Sequence, residues 1–248
     1  MIAGLIEQNA RASVAELSEM LSVSEVTIRK DLAILEAEGS LLRTHGGAVT
    51  SGRSRAELAF EVRERLQRNE KALIGAEAAK LVHDGDSIAL DASTTVLQIA
   101  RHLRARRELT VVTNGMRVAS ELAGQPSITV LMPGGAVRWE AFSLVGTWGS
   151  LMLRQLNIQK AFVGAVGFTL TEGLTDVNAQ EAEIKTAMLA SAKEVIGVFD
   201  HTKWNRVAMA TFCPTDRLRL VISDEQAPAD AVAAVRARGV EVRLVSSR

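Results

Sequence analysis

Residues 23–49 read VSEVTIRKDLAILEAEGSLLRTHGGAV, and their pattern decides how the front of the chain folds. Ile28, Leu32 and Leu35 recur at i, i+4 and i+7, which makes one apolar stripe on a helix. Ser24 stands where an N-cap belongs and Gly39 where a helix stops. The spacing therefore predicts a helix running to about Glu38. Its other face carries Val26, Lys30 and Ala33, flanked by Glu25, Thr27 and Arg29. Upstream, Ser13 and Glu16 form a capping box that opens a shorter helix with Val14, Leu17 and Leu21 inward. A brief turn at 22–23 joins the two. Two short helices on a tight turn are the skeleton of a helix-turn-helix. In that motif the second helix enters the major groove and reads with its N-terminal residues.

The chemistry of that face suits DNA. Arg29 and Lys30 can meet phosphates or guanine edges, Ser24 and Thr27 can donate to phosphate, and Val26 can touch a thymine methyl. Residues 41–44 and 48–49 can pair as a hairpin around His45, Gly46 and Gly47, which places Arg43 and His45 on a wing. The same pattern also fits a plain helical hairpin with solvated charges. Bulk charge does not choose between them, because basic residues do not outnumber acidic ones in residues 1–55.

Composition bounds the rest. The chain has 248 residues, 47% hydrophobic and 23% charged, which fits a packed globular protein and excludes a disordered or collagen-like one. Lys+Arg and Asp+Glu both number 29, so nonspecific coating of nucleic acid is excluded as the main role. Cys213 is the single cysteine, so no internal disulfide forms. No apolar run approaches the ~20 residues that span a bilayer. The N-terminus lacks the basic and apolar regions of a secretory signal. A cytoplasmic protein without membrane contact is the expectation.

Strand-like runs recur at 87–90, 109–112, 128–131, 161–166, 195–199, 218–222 and 240–245. Helical patterns lie between most of them, at 96–103, 117–122, 148–156, 179–192 and 229–238. This alternation predicts an α/β domain on a parallel sheet. Ligands bind beyond the carboxyl ends of such strands. The first strand runs into Asp91, Ser93, Thr94 and Thr95 at a helix start, which is an anion-binding arrangement. The second ends in Thr113, Asn114 and Gly115, and the third in Gly134 and Gly135. Each group alone is explained by helix capping and turns; together they suit a phosphorylated ligand. Downstream, Asp176, Glu181 and Lys185 can face a sugar or form surface pairs. Asp200 and Lys203 can bind hydroxyl and phosphate or belong to a solvated turn.

The run 23–49, with its TIRKDL…LE..G.L.R.HGGA spacing, resembles the N-terminal signature of the DeoR family of bacterial transcriptional regulators. Phe60, Arg63, Asn69 and Lys71 match that family's F..R.....N.K segment, and the likeness continues over nearly the whole chain. It implies a winged helix-turn-helix at 1–52, a connector at 53–71 containing Arg63, Arg65 and Arg68, and an effector-binding α/β domain at 72–248. The effector domain of the family is similar in fold to ribose-phosphate isomerase and glucosamine-phosphate deaminase. By resemblance, Ser93, Thr94 and Thr95 hold phosphate, and Thr113, Asn114, Gly134 and Gly135 line the pocket. Asp91, Glu181, Lys185, Asp200 and Lys203 contact or frame the sugar. Two departures stand out: the first apolar helix face, Ile2, Leu5 and Ile6, begins almost at Met1, and many members have glycine where Ser93 stands.

The expected protein is thus a repressor of a carbohydrate-use operon. Its partners are double-stranded operator DNA, a phosphorylated sugar and further copies of itself. No cofactor or metal is expected, since His45, His83, His102 and His201 show no zinc-like spacing and no Walker A or G-x-S-x-G motif exists. The alternative is a sugar-phosphate isomerase or deaminase with Asp91, Glu181 or Asp200 as general base.

Overall fold

The computed structural model describes residues 2, 5–6, 11–37, 41–44, 46–50 and 60–246. They form two compact units, Met1–Leu66 and Gln67–Arg248.

In the first unit, β1 (Arg11–Ser13) precedes α1 (Val14–Leu21) and α2 (Glu25–Ala37). Then come β2 (Leu41–Thr44), β3 (Gly47–Thr50) and α3 (Phe60–Arg65). The capping box is present: Ser13 Oγ accepts from Glu16 N at 3.1 Å and Glu16 accepts from Ser13 N at 2.7 Å. Ser22 closes α1 in the left-handed region at φ 51°. Ile28 and Leu32 are fully buried with Ile6, Leu17 and Val14, and Leu35 packs against them. The expected hairpin is a three-stranded antiparallel sheet in the order β1-β3-β2. The third strand escaped the sequence because it is only three residues long and sits directly before a helix. Gly47 is required there, since a Cβ on it would lie 2.0 Å from Ala12 O. The expected helix end at Glu38 and Gly39, and the wing residue His45, lie outside the described residues. Within 53–71, Phe60 and Val62 of α3 are buried, so this part is not merely a solvated helix.

The second unit begins with α4 (Arg68–Ala79), β4 (Ser87–Leu90), α5 (Thr94–Leu103), β5 (Leu109–Thr113), α6 (Met116–Leu122) and β6 (Ile128–Leu131). A hairpin, β7 (Ala136–Arg138) and β8 (Ser143–Val145), leads to α7 (Thr147–Leu153) and β9 (Ile158–Val163). After β10 (Gly167–Thr169) and β11 (Gly173–Asp176) come α8 (Ala179–Ala190), β12 (Ala192–Val198), β13 (Ala210–Cys213), β14 (Leu220–Asp224), α9 (Ala229–Ala237) and β15 (Glu241–Val245). All seven expected strands join one parallel sheet in the order β15-β14-β12-β9-β4-β5-β6. The boundaries move: β9 starts at Ile158 rather than 161, and β14 starts at Leu220 after a 3-10 turn, Thr215–Arg217.

The chain builds β4, β5 and β6 outward to one side, then returns to lay β9 on the other side of β4. The strand order therefore reverses between β4 and β9, the place where open α/β sheets take their ligands, beyond the carboxyl ends of the strands. Two antiparallel additions were not expected, the β7–β8 hairpin and the sheet β10-β11-β13. Their three- and four-residue strands are too short to show a period. Phe168, Phe199 and Trp204 pack together with ring centroids 5.1–5.7 Å apart. Trp204 Nε1 donates to Ser223 Oγ at 3.0 Å, which ties the turn after β12 to β14. No helix among the described residues is long and apolar enough to cross a membrane.

Candidate functional site

The first unit presents α2 as a readable face. Ser24 Oγ accepts from Thr27 N at 3.2 Å and lies 2.9 Å from Thr27 Oγ1, so both hydroxyls serve the helix start. Val26 is 72% exposed, and Thr27, Arg29 and Lys30 are exposed with it. Arg29 pairs with Glu25 at 2.6 Å across one turn. Such a half-exposed pair adds little stability, ~0.3–0.5 kcal/mol, but it holds the guanidinium in one orientation. Ile34, also exposed, continues the Val26–Lys30 face; its eight-residue offset from Val26 was there to be read. Arg43 lies on β2, at the wing.

In the second unit the strand-end residues converge at the reversal of strand order. Asp91, just past β4, is fully buried. Its carboxylate accepts from Ser93 N at 2.9 Å and from Gly164 N, just past β9, at 3.0 Å. Lys185 Nζ reaches Asp91 at 3.0 Å, Asp176 at 2.9 Å and Gly164 O at 3.2 Å. It lies over the Phe212 ring at 4.8 Å. Burial opposes the charge on Lys185, but Asp176, Asp91 and Glu181 outweigh it and hold the ammonium protonated well above the ordinary lysine range. This lysine is therefore a fixed charge already matched by carboxylates. Gly164 has no room for a side chain, because a Cβ would lie 2.4 Å from Ser93 Oγ.

Ser93 caps α5 and accepts from Val96 N at 3.1 Å. The first-turn N–H groups of Thr94 and Thr95 have no acceptor inside the helix, and the helix dipole favours an anion at this end. The neighbouring loop touches this one, since a Cβ on Gly115 would lie 2.8 Å from Ala92 Cα. Thr113 Oγ1 accepts from Gly115 N at 3.0 Å. Asn114 is fully buried and donates through Nδ2 to Leu144 O at 3.3 Å. Its Oδ1 is buried with no hydrogen-bond partner among the described residues.

The other expected residues divide. Glu181 accepts from Ser143 Oγ in a short bond and pairs with Arg138 at 3.3 Å, so the β7–β8 hairpin holds it. Asp200 is buried and accepts from Thr202 N at 3.0 Å and from the Thr202 hydroxyl. That corrects the picture of a solvated turn. Lys203 ends the same 3-10 turn. Gly135, at φ +149°, answers to the hairpin, because a Cβ there would meet Val145 O at 2.3 Å. Gly134 faces open space, so steric approach does not explain it.

Sequence reasoning missed Gly164, Ser143 and Arg138, whose partners lie 73, 38 and 43 residues away. It also missed that His201 Nδ1 contacts Asp224 at 2.8 Å. Cys213 is buried, and burial pushes its thiol up to about 12, so it is inert as a nucleophile.

Comparison with known proteins covers both units. Residues 1–53 match the DeoR-like helix-turn-helix domain, and residues 66–225 match the DeoR C terminal sensor domain. The HTH-type transcriptional regulator GolR of Listeria innocua is 38% identical over 90% of this chain and 87% of that protein. A putative aga operon transcriptional repressor of Escherichia coli O157:H7 is 34% identical over 97% of this chain and 90% of that protein. The repressor GlcR of Bacillus subtilis is 32% identical over 90% and 86%. Among solved structures, a ribose 5-phosphate isomerase from Methanocaldococcus jannaschii overlays 55% of this chain and 54% of that one, with 20% identity and a TM-score of 0.41.

Proposed function

Because the chain belongs to the DeoR family of helix-turn-helix transcriptional regulators, we propose that it represses a carbohydrate-use operon and leaves its operator when a phosphorylated sugar fills the crevice between β4 and β9. It is a DNA-binding transcriptional regulator, and α2 is the element that reads the major groove through Val26, Thr27, Arg29 and Lys30. Ser24 and Glu25 set the start of that helix, and Arg43 and His45 of the wing add backbone contacts.

In the effector site, phosphate sits on the first-turn amides of α5 beside Ser93, Thr94 and Thr95. Sugar hydroxyls meet Asn114, Thr113 and the carboxylates of Asp91 and Glu181. Asp200 and Lys203 close the far side. The unpartnered, buried Oδ1 of Asn114 carries this reading: a buried acceptor left without a donor costs ~1–3 kcal/mol, and a ligand hydroxyl would satisfy it. Residues 53–71 transmit the change, and residues 1–52 and 72–248 are the reading and sensing parts. The protein works in the cytoplasm.

Catalysis is not part of the proposal. The three candidate bases, Asp91, Glu181 and Asp200, each accept hydrogen bonds from the protein's own groups, which supports a binding role. A thermal-shift screen of phosphorylated sugars tests the site. At least one is expected to stabilise the protein and to lose that effect in Thr94→Ala. Stabilisation that survives Thr94→Ala contradicts the phosphate assignment. Turnover of the hit, abolished by Asp200→Asn, favours the isomerase alternative.

A further inference from the structure

The β7–β8 hairpin is tied to the loop just past the carboxyl end of β5. Leu144 N donates to Asn114 O at 2.8 Å, Asn114 Nδ2 donates back to Leu144 O at 3.3 Å, and Ser143 is bridged to Gly115. The hairpin also reaches α8: the Ser143 hydroxyl and the Arg138 guanidinium both bond Glu181 Oε1, the second at 3.3 Å. Phe142, the residue before Ser143, is in the left-handed region at φ 49°, where a bulky side chain is disfavoured. Met116 N, which donates to Phe142 O at 2.7 Å, and the Arg117 guanidinium, 4.3 Å over its ring, hold it there. Backbone strain enforced by its surroundings clusters at ligand clamps.

Two groups of this cluster have capacity to spare. The Arg138 side chain is mostly buried, at 23% exposure, and of its five N–H donors one is used among the described residues. Both bonds to Glu181 land on Oε1, so Oε2 accepts none among the described residues, although Glu181 is buried. A guanidinium with free donors thus stands beside a carboxylate oxygen with free lone pairs. One sugar hydroxyl can donate to Oε2 while its neighbour accepts from Arg138.

We infer that Arg138 is a binding and specificity residue of the effector site, selecting with Glu181 those sugar phosphates whose end remote from the phosphate is neutral and hydroxylated. This deepens the sugar-phosphate reading and rests on it. The contacts set the direction. From the proposed phosphate loop they run from Ser93 to Asp91, from Asp91 to Lys185, and then one turn along α8 to Glu181 and Arg138. The pair therefore meets the sugar rather than the phosphate. Its charges balance, and that selects the class: a carboxylate placed there is opposed by Glu181, and an ammonium by Arg138. Hydroxyls meet neither repulsion and use both groups.

Isothermal titration calorimetry of the full chain tests this with fructose 6-phosphate, glucosamine 6-phosphate, 6-phosphogluconate and inorganic phosphate. The wild type is expected to bind the neutral sugar roughly tenfold or more above the amino and acid ones. In Arg138→Ala the neutral sugar should weaken roughly tenfold and the amino sugar should gain relative to it, while inorganic phosphate binds as before. Arg138→Lys keeps the charge, and so the rejection of the amino sugar, but binds more weakly because the planar fork is gone. Glu181→Gln moves the preference toward 6-phosphogluconate. A purely structural Arg138 would weaken the three sugars alike and leave their ratios unchanged. If Arg138→Ala misfolds, Arg138→Lys and Glu181→Gln decide. Folded variants with wild-type ratios overturn the inference. So does a wild type that binds inorganic phosphate without preferring the neutral sugar, which leaves the phosphate loop standing. A wild type that binds none of the four probes overturns the sugar-phosphate reading itself, and the inference with it.

Discussion

The two units carry the side chains proposed to function in opposite ways. On α2 they are exposed, and their internal contacts span one turn, as with Ser24 and Thr27 or Glu25 and Arg29. At the reversal between β4 and β9 they are buried and tied together over distances such as 73 residues between Asp91 and Gly164. The difference is what the two proposed partners require. A DNA groove comes to the protein from outside, so the reading residues must stand free of the core. A small metabolite is surrounded, so the residues that hold it must be desolvated, and desolvated charges survive only when paired.

That contrast can be broken by mutation. The largest effect is expected at Asp91→Ala, which leaves Lys185 buried beside one carboxylate fewer and two amides without an acceptor. A loss of about 3–5 kcal/mol in denaturant-measured stability is expected, and a loss under about 1 would remove the cluster from the core of the account. The reading face should behave in reverse. Arg29→Ala and Lys30→Ala should lower affinity for the native upstream DNA by about 1–3 kcal/mol, with a shallower salt dependence, while thermal stability stays within about 0.5 kcal/mol. A large stability loss there would mean that the face is structural. Ser13→Ala removes the capping box and should cost about 1 kcal/mol in the first unit, read from hydrogen exchange on α1.

The smallest effect concerns Asp86, which accepts from Lys160 at 2.7 Å and from His83 N at 2.9 Å. Burial raises its pKa, but Lys160 and the His83 amide outweigh this and hold it below the ordinary 3.8. The sign follows: its contribution is complete above that ordinary value and is lost as pH falls through the folded one. Asp86→Asn should therefore destabilise by about 1 kcal/mol at neutral pH, with the difference vanishing in acid. A difference that persists unchanged in acid would refute the charged pairing.

Legibility in the sequence followed the same division. The capping box, the Ile28–Leu32 stripe and the seven strands were readable because each is set by contacts within a few residues or by burial on both faces of a sheet. The order of those strands was not, since nothing local says that β9 returns beside β4. Asp91 and Ser93 stood out by residue type at a strand end and Lys185 by its helical spacing from Glu181, yet Gly164, which ties Asp91 and Lys185 together, became meaningful only when the topology joined them. Glu181 and Lys185, four apart, fitted either a surface pair or two groups facing a sugar. The fold instead gives Glu181 to Ser143 and Arg138, and Lys185 to Asp91 and Asp176. The β7–β8 hairpin and the sheet β10-β11-β13 went unread, because three of their strands have only three residues and show no period.

The central claim is that occupancy of the crevice weakens the grip of α2 on DNA. Fluorescence anisotropy of labelled operator DNA, titrated with the chain in the presence and absence of a saturating phosphorylated sugar from the thermal-shift screen, measures it directly. The account predicts that the sugar lowers operator affinity by about 5–150-fold, the usual range of coupling between two sites, and that Thr94→Ala binds DNA normally but ignores the sugar. An operator affinity that is identical with and without a sugar shown to bind the crevice would contradict it.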